Sequence, residues 1–270
     1  MPRPITFLSD YGNDDEFAGV CRAVIAKIAP GARVIDLTHG IRRHDVAHGA
    51  AVLANAVAYA PDAVHLAVVD PGVGTGRAGV AVAAADGENW FVGPDNGLLW
   101  PALERCGGSA AAVEISNSPA GLEPVSATFH GRDLFAPVAA RLALGAELGA
   151  LGEPLDGDAL VRIERSEATV EPGRRLEAQV SHVDAFGNVS LVATAADADD
   201  AGLEVGKRLR VRAARGEDEA RYALTFADAE AGQMVLLVDS AHSLALAVNK
   251  GDAAGRLELG AGDRVELTPM

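Results

Sequence analysis

The stretch VHLAVVDPGVGTGR (64–77) decides the fold, because an apolar run ends there in an aspartate and a glycine-rich loop. An apolar run of this length, without alternation, is typical of a strand that is buried on both faces of a sheet. The loop that follows lacks the Gly-Lys-Ser/Thr of a Walker A motif and the spacing of a dinucleotide fingerprint. The stretch therefore predicts a central strand with a polar loop at its carboxyl end.

Strand-like and helix-like segments alternate on both sides of this run. The apolar patterns predict strands at 5–9, 33–38, 64–69, 80–84 and 90–92, and helices at 16–28, 45–59, 97–106 and 132–144. This alternation is typical of an α/β domain with a largely parallel sheet.

The pattern changes after about residue 150. Residues 151–175 are rich in Gly, Pro and charge, which is typical of a linker with at most one strand. Short alternating runs follow at 176–183, 189–192, 209–212, 234–238, 244–248 and 264–267. They predict a smaller, antiparallel, all-β domain with the form of a barrel or a sandwich. We therefore expect an α/β domain over 1–160, a linker over 161–175 and a barrel-like domain over 176–270.

Composition excludes several classes of function. The 270 residues carry a formal charge of −15, which repels nucleic acid and anionic lipid at long range. The two cysteines, Cys21 and Cys106, form no CxxC pair and no metal spacing, so we expect buried free thiols. No apolar stretch approaches the roughly 20 residues that span a bilayer. We expect a cytoplasmic protein without nucleic-acid or membrane partners.

Three polar clusters follow predicted strands or open a predicted helix, where ligands bind in α/β proteins. Asp10 follows the first strand and can hold a ribose diol, or it can cap the next helix. Asp70 and Arg77 flank the glycine-rich loop and can serve a ligand, or they can form a structural ion pair that closes the turn. His130 precedes a helix and can act as a base or orient a neighbour, or it can be a turn or capping residue.

The segment His44-Asp45-Val46-Ala47-His48 imitates a zinc-binding HExxH motif. Two histidines at this spacing share a helix face, and His39 lies upstream as a possible third ligand. Asp is too short to replace Glu as the general base, however, and the segment lies where a helix begins. A solvated helix start accounts better for it, and we expect no metal.

In the second half, the stretch VDAFGNV (183–189) combines groups that suit a purine and an ammonium ion. Phe186 can stack on a base, Asn188 can bond its edge, and Asp184 can bind a cationic amine. A plain hairpin with Gly-Asn at its turn explains the same residues and is compatible with binding.

Eight stretches together resemble the S-adenosyl-L-methionine (SAM) hydroxide adenosyltransferase family, whose relatives include adenosyl-halide synthases. They follow the family's order along nearly the whole chain: FLSDYG (7–12), IDLTHGI (35–41), VVDPGVGTGR (68–77), FVGPDNGLL (91–99), TFHGRD (128–133), VDAFGNV (183–189), TFADA (225–229) and the region 239–249. The resemblance implies an α/β domain followed by a β-barrel-like domain, homotrimers, and a SAM site between neighbouring subunits.

The resemblance also implies roles for single residues. Asp10 would hold the ribose hydroxyls, and Asp70, Arg77 and His130 would form a triad that positions and activates water. Asp184 would bind the methionine ammonium, with Phe186 and Asn188 on adenine. Phe226 and Ser240 match further substrate-binding positions. His44 stands where several relatives carry an aromatic residue, and Ala241-His242 also departs from some relatives.

The implied reaction is metal-independent and cofactor-free hydrolysis of SAM to adenosine and L-methionine. Water would attack the ribose C5′ in line and displace a neutral thioether, with Arg77 favouring hydroxide character and Asp70 and His130 taking the proton. Two alternatives remain. A SAM-dependent halogenase is disfavoured by the charge of Asp70, which repels halide. A SAM- or adenosine-binding regulatory module is disfavoured by Arg77, which a cationic substrate does not need.

Overall fold

The computed structural model describes residues 1–163 and 167–270, and the chain divides after Ile163 into two compact units. The expected boundary at 161–175 includes residues 164–166, which lie outside the described residues. Within the described ranges, no helix has the length and apolar character that crossing a bilayer requires.

The first unit alternates strands and helices over most of its length. Its strands are β1 (Ile5–Ser9), β2 (Val34–Thr38), β3 (Val64–Val68), β4 (Gly79–Ala84), β5 (Trp90–Pro94), β6 (Ser109–Glu114) and β7 (Glu153–Leu155). Its helices are α1 (Phe17–Ile28), α2 (Val46–Val57), α3 (Trp100–Arg105) and α4 (Ala136–Ala143), with a π-helical turn at Gly131–Phe135 and 3₁₀ turns at Leu148–Ala150 and Gly157–Ala159.

The seven strands form one sheet in the order β2-β1-β3-β5-β4-β6-β7. β2, β1, β3 and β5 are parallel, whereas β4, β6 and β7 pair antiparallel, so the sheet is mixed. A short hairpin joins β4 to β5, and parallel strands would need a longer crossover there. Gly87, at φ +76°, allows that tight turn.

The buried strands account for the position of the core. Every residue of β1 and of β3 is buried, including Thr6 and His65. These two polar side chains bond each other, with 2.8 Å between Thr6 Oγ1 and His65 Nδ1. Buried polar groups need such partners, so the central strands can be fully enclosed without an unpaired group at this point.

The second unit is all-β apart from two short helices. Its strands are β8 (Thr169–Glu171), β9 (Arg175–Val183), β10 (Val189–Leu191), β11 (Arg208–Ala213), β12 (Gly216–Tyr222), β13 (Met234–Val238), β14 (Leu244–Val248) and β15 (Arg264–Pro269). Its helices are α5 (Ala195–Asp200) and α6 (Ala253–Leu257), and a 3₁₀ turn covers Phe226–Asp228.

These strands close into a barrel. The order β10-β14-β13-β12-β11-β15-β9 returns to its start because β9 also pairs with β10, and β8 adds to β9 outside the ring. All ring pairings are antiparallel except β12 with β13. Along β9 the buried residues Leu176, Ala178 and Val180 alternate with more exposed ones, as a barrel wall requires. The prediction of an α/β unit followed by a smaller barrel-like unit is confirmed.

Candidate active site

A cavity of about 320 Å³ opens at the carboxyl ends of the parallel strands in the first unit. The connection after β1 runs to β2 on one side of the sheet, and the connection after the neighbouring strand β3 runs to β4 on the other side, so a topological switch point lies between β1 and β3. Asp10 directly follows β1, Asp70 follows β3, and both line the cavity. Ligands of open α/β sheets bind at such a point, so the cavity is the candidate active site.

The glycine-rich loop folds back and returns Arg77 to Asp70. Thr75 closes the turn, because its backbone N–H and its hydroxyl both bond the Gly72 carbonyl, at 3.1 and 2.6 Å. The Arg77 Nε donates to Asp70 Oδ1 at 3.1 Å, and its Nη2 donates to Asp70 Oδ2. The two side chains are only 9% and 6% exposed, so this bidentate pair is held in a dry environment.

His130 joins this pair through the same arginine. Arg77 Nη2 lies 3.2 Å from His130 Nδ1. A guanidinium can only donate, so Nδ1 must accept and the imidazole proton must be on Nε2. Burial lowers the pKa of His130 below its ordinary 6.5, the Arg77 charge lowers it further, and Asp70 opposes both. The neutral imidazole lines the cavity with Nε2–H as its available donor.

Asp10 and His130 do not act as helix caps, whereas Asp70 and Arg77 do close a turn. α1 begins at Phe17 with Glu16 at its N-cap, so Asp10 is not a helix cap. His130 stands at the N-cap of the π-helical turn, but its side chain makes no capping hydrogen bond. Asp70 and Arg77 do close a turn, and their contact with His130 goes beyond what turn closure needs.

Asp10 is oriented by the segment that leads into α2. Its Oδ2 accepts the backbone N–H of His44 at 2.9 Å. His44 adopts φ +65°, a left-handed conformation that is uncommon outside glycine. Strained residues of this kind persist where the surroundings hold them, and here the strain turns an N–H toward a cavity carboxylate.

The segment that imitates a zinc motif has another structural use. Asp45 is the N-cap of α2, and its side chain accepts the His48 N–H at 2.9 Å. His39 is buried, and its Nδ1 bonds Ser9 Oγ at 2.8 Å. In the described ranges, no group of three or more His, Cys, Asp or Glu side chains is placed to hold a metal ion.

Several cavity residues escaped the sequence analysis. Tyr11 and Phe17 form an aromatic side of the cavity, and Asp15, Arg43 and Thr128 add polar groups. Tyr11 and Thr128 lie within the quoted stretches 7–12 and 128–133, and this position is the signal that could have identified them. Arg43 and Asp15 lie in polar loops, and only the fold brings them to the cavity.

The predicted residues of the second unit lie in loops of the barrel. Asp184 organises the loop between β9 and β10: its Oδ1 accepts the N–H groups of Phe186 and Asn188 at 2.8 and 2.9 Å, and its Oδ2 accepts Asn188 Nδ2 at 2.8 Å. Phe186 is held out with 79% of its surface exposed. The hairpin interpretation is therefore correct for the backbone, and the hairpin leaves the Phe186 ring exposed.

Phe226 and Ser240 lie apart from that loop in sequence. Phe226 is half-exposed and begins the 3₁₀ turn after β12. Ser240 is exposed in the β13–β14 turn, where Asp239 accepts the N–H groups of Ala241 and Ser243 and the Ser190 hydroxyl. Among the described residues, no hydrogen bond joins either side chain to the Asp184 loop.

An α/β unit with a cavity at its switch point, followed by a closed barrel, is typical of a two-unit protein that binds a small molecule. The chain belongs to the SAM hydroxide adenosyltransferase family. The family's N-terminal domain model matches residues 5–152, and its C-terminal domain model matches residues 178–266. The resemblance found in the sequence is thereby confirmed.

Relatives match over nearly the full length of the chain. A protein of Salinispora arenicola named (R)-S-adenosyl-L-methionine hydrolase is 48% identical, covering 98% of this chain and 97% of its own. A protein of the same name from Thermus thermophilus is 40% identical over 98% of this chain and 99% of its own. A fluorinase of an Actinoplanes species is 29% identical, over 98% and 97%. A conserved Thermotoga maritima protein of solved structure has a TM-score of 0.89 at 37% identity, covering 97% of this chain and 99% of its own.

Proposed function

We propose that this chain hydrolyses SAM to adenosine and L-methionine. Family membership over both domains supports this function, as do relatives at 40–48% identity that carry the name (R)-S-adenosyl-L-methionine hydrolase. That name specifies the R form, and we propose the same form as the substrate here. The observation that carries the proposal is the contact chain Asp70–Arg77–His130 at a cavity that Asp10 also lines.

Asp10 holds the ribose hydroxyls in this proposal. A carboxylate oxygen has two acceptor sites, so Oδ2 can keep its bond to the His44 N–H while the group accepts from a diol. With the ribose fixed at the end of β1, its C5′ would extend toward the end of β3. Asp70 stands there, and the attacking water would lie between Asp70 and the substrate.

The water is oriented by two groups that Arg77 holds in place. Asp70 accepts one of its protons, and His130 Nε2–H donates to one of its lone pairs. His130 is thus a donor in this arrangement, and Asp70 is the proton acceptor. Arg77 does not line the cavity itself but contacts Asp70 and His130, which do. Its positive charge favours hydroxide character on the attacking water.

The reaction is an in-line displacement with a simple balance. The water oxygen forms a bond to C5′, the C5′–S bond breaks, and its electron pair remains on sulfur. The sulfonium charge is thereby neutralised, and the proton of the water passes to Asp70. Methionine leaves as a neutral thioether and needs no proton, so the enzyme chiefly orients the nucleophile and excludes bulk water.

The second unit supplies the remaining contacts in our proposal. Asp184 binds the methionine ammonium, Phe186 stacks on adenine and Asn188 bonds its edge, with Phe226 and Ser240 as further substrate contacts. The exposed ring of Phe186 and the internally bonded loop that holds it support this assignment. On the family resemblance we also propose a homotrimer with sites between neighbouring subunits, and a cytoplasmic location that suits two buried free thiols.

The decisive experiment incubates the purified chain with each sulfonium epimer of SAM and resolves the products by chromatography. We expect adenosine and methionine in equal amounts from the R epimer, with no effect of a chelator or of added halide. A 5′-halo-adenosine product would instead support the halogenase alternative. Intact SAM that co-elutes with the protein would support a binding module and refute hydrolysis.

The triad is tested by Arg77→Ala. Turnover should fall at least a hundredfold, an order typical of losing the orientation of a reacting group, while SAM binding persists. The matched control is Arg22→Ala, which removes an arginine of the same unit that pairs with Asp36 on the surface. Unchanged turnover in Arg77→Ala would refute the assigned role.

A further inference from the structure

Tyr11 is a cavity residue for which the proposed mechanism has no use. Its ring is fixed by aromatic neighbours: Phe7 meets it edge-on at 6.5 Å between centroids, Phe129 does so at 5.8 Å, and Phe17 lies at 6.0 Å. Its backbone N–H is also bonded to Ser9 Oγ at 3.3 Å. A ring held on three sides carries its hydroxyl to one defined place.

That place is over the backbone of Gly131, the residue that follows His130. A Cβ built on Gly131 would lie 2.0 Å from the Tyr11 hydroxyl oxygen, and 3.0 Å from the ring carbon that bears it. The hydroxyl therefore occupies the volume that any side chain at position 131 would fill. Glycine at 131 is required here for close approach, since its own backbone conformation is an ordinary helical one.

The hydroxyl is available for a ligand. In the described ranges, no hydrogen bond pairs it with another protein group, although the residue lines the cavity. Burial raises the pKa of Tyr11 well above 10, and the negative charges of Asp10 and Asp70 add to this. The group is therefore a neutral phenol, which can accept one hydrogen bond and donate another.

The hydrogen-bonding capacity of the attacking water shows what is missing from the proposed mechanism. Water has two protons and two lone pairs. In the proposed mechanism Asp70 takes one proton, His130 Nε2–H occupies one lone pair, and the other lone pair points at C5′. The second proton then needs an acceptor, and without one the water can rotate its nucleophilic lone pair away from C5′.

We propose that the Tyr11 hydroxyl oxygen accepts this second proton in a hydrogen bond and completes the water site of the hydrolase. The inference rests on the proposed function and adds a residue to it. Asp70, His130 and Tyr11 then leave the water one free lone pair, which is directed at C5′. Gly131 contributes indirectly, because its lack of a side chain leaves room for the Tyr11 hydroxyl.

The test is Tyr11→Phe, which removes the hydroxyl and keeps the ring. We expect kcat to fall about five- to tenfold, which corresponds to one hydrogen bond of about 1 kcal/mol or slightly more. The dissociation constant of SAM, measured by calorimetry on a slow variant such as Arg77→Ala with and without Tyr11→Phe, should stay unchanged. The matched control is Tyr59→Phe, since Tyr59 is 80% exposed and should keep full turnover.

A second variant separates the hydroxyl from packing. Gly131→Ala places a methyl where the hydroxyl lies, so it should slow turnover in the parent protein. In the Tyr11→Phe background the same change should cost less, because the group it displaces is already gone. Additive effects of the two changes would overturn the placement of the hydroxyl over Gly131 and the proposal with it, because the closest clash of the new methyl, with that oxygen at 2.0 Å, exists only in the parent protein.

Failure of the proposed SAM hydrolysis and failure of the role assigned to Tyr11 give different results. A parent protein that leaves both SAM epimers intact would refute the proposed function itself. A parent protein that hydrolyses SAM while Tyr11→Phe keeps its full kcat would overturn only the assignment of Tyr11. A change in SAM affinity with unchanged kcat would also overturn it, because Tyr11 would then contact the substrate and not the water.

Discussion

Replacing Arg77 with methionine should destabilise the first unit far more than an ordinary loss of an ion pair. Arg77 and Asp70 are 9% and 6% exposed, so Arg77→Met leaves a buried carboxylate without its counterion. Breaking such a pair from one side costs about 3–5 kcal/mol. The control Arg22→Met breaks a pair whose side chains are 42% and 37% exposed, and surface pairs are worth about 0–1 kcal/mol.

The stabilities of the Arg77→Met and Arg22→Met variants can be compared for the first unit alone. Both tryptophans, Trp90 and Trp100, lie in the first unit, so their fluorescence during urea unfolding reports on that unit. The double change Asp70→Asn with Arg77→Met removes both charges and should recover at least about 1 kcal/mol of the single variant's loss, because an unpaired amide costs less than an unpaired carboxylate. Equal midpoints for Arg77→Met and Arg22→Met would refute the reasoning.

Three further predictions concern pH and local structure. The pKa of His130 is lowered, and its Nδ1 must accept from Arg77, so the neutral imidazole is the active form. We therefore expect kcat/KM to be constant above pH 6.5 and to decline only below it. A decline in kcat/KM centred above pH 6.5 would contradict the role of neutral His130 as a donor. Asp45→Ala removes the N-cap of α2 and should lower the free energy of unfolding by about 0.5–2 kcal/mol, measured by the same tryptophan fluorescence. An unchanged free energy of unfolding would show that this cap does not stabilise the helix. Gly74→Ala should cost about 1–3 kcal/mol, because Gly74 has φ +76° and a Cβ there would lie 2.5 Å from the Ala127 carbonyl; a stable variant with normal turnover would argue against this loop conformation.

Strands with strong apolar character were predictable from the sequence, several of them to the residue. β1, β13 and β14 have the predicted bounds, because each is an apolar run between clear breaks. The stretch 151–175, expected to hold at most one strand, contains both β7 and β8, and β6 and β12 were missed for a physical reason. β6 is Ser-Ala-Ala-Ala-Val-Glu and β12 is Gly-Glu-Asp-Glu-Ala-Arg-Tyr, and neither has β propensity. Their conformation comes from pairing: β6 pairs with β4 and β7, and β12 pairs with β11 across a two-residue turn, where arginines of β11 meet acidic residues of β12.

The candidate site was predictable where a residue follows a strand. Asp10 and Asp70 could be brought to one edge by topology alone, because parallel strands end on the same side. The contact of Arg77 with His130 spans 53 residues and depends on the fold of two loops, so only the family resemblance suggested it. The hydroxyl of Tyr11 over Gly131 has no sequence signal of its own, since it arises from three-dimensional packing between distant motifs.

The single parallel contact in the barrel, between β12 and β13, follows from counting. Around any closed ring, strand direction must return to its starting sense, so the number of antiparallel contacts must be even. A ring of seven strands has seven contacts, and at least one must therefore be parallel. The chain meets this parity rule between Tyr222 and Met234, where it must travel back the length of a strand before it can pair. That obligatory return path is the segment that carries Phe226, so an odd strand number provides this barrel with a long connection on which this proposed substrate contact lies.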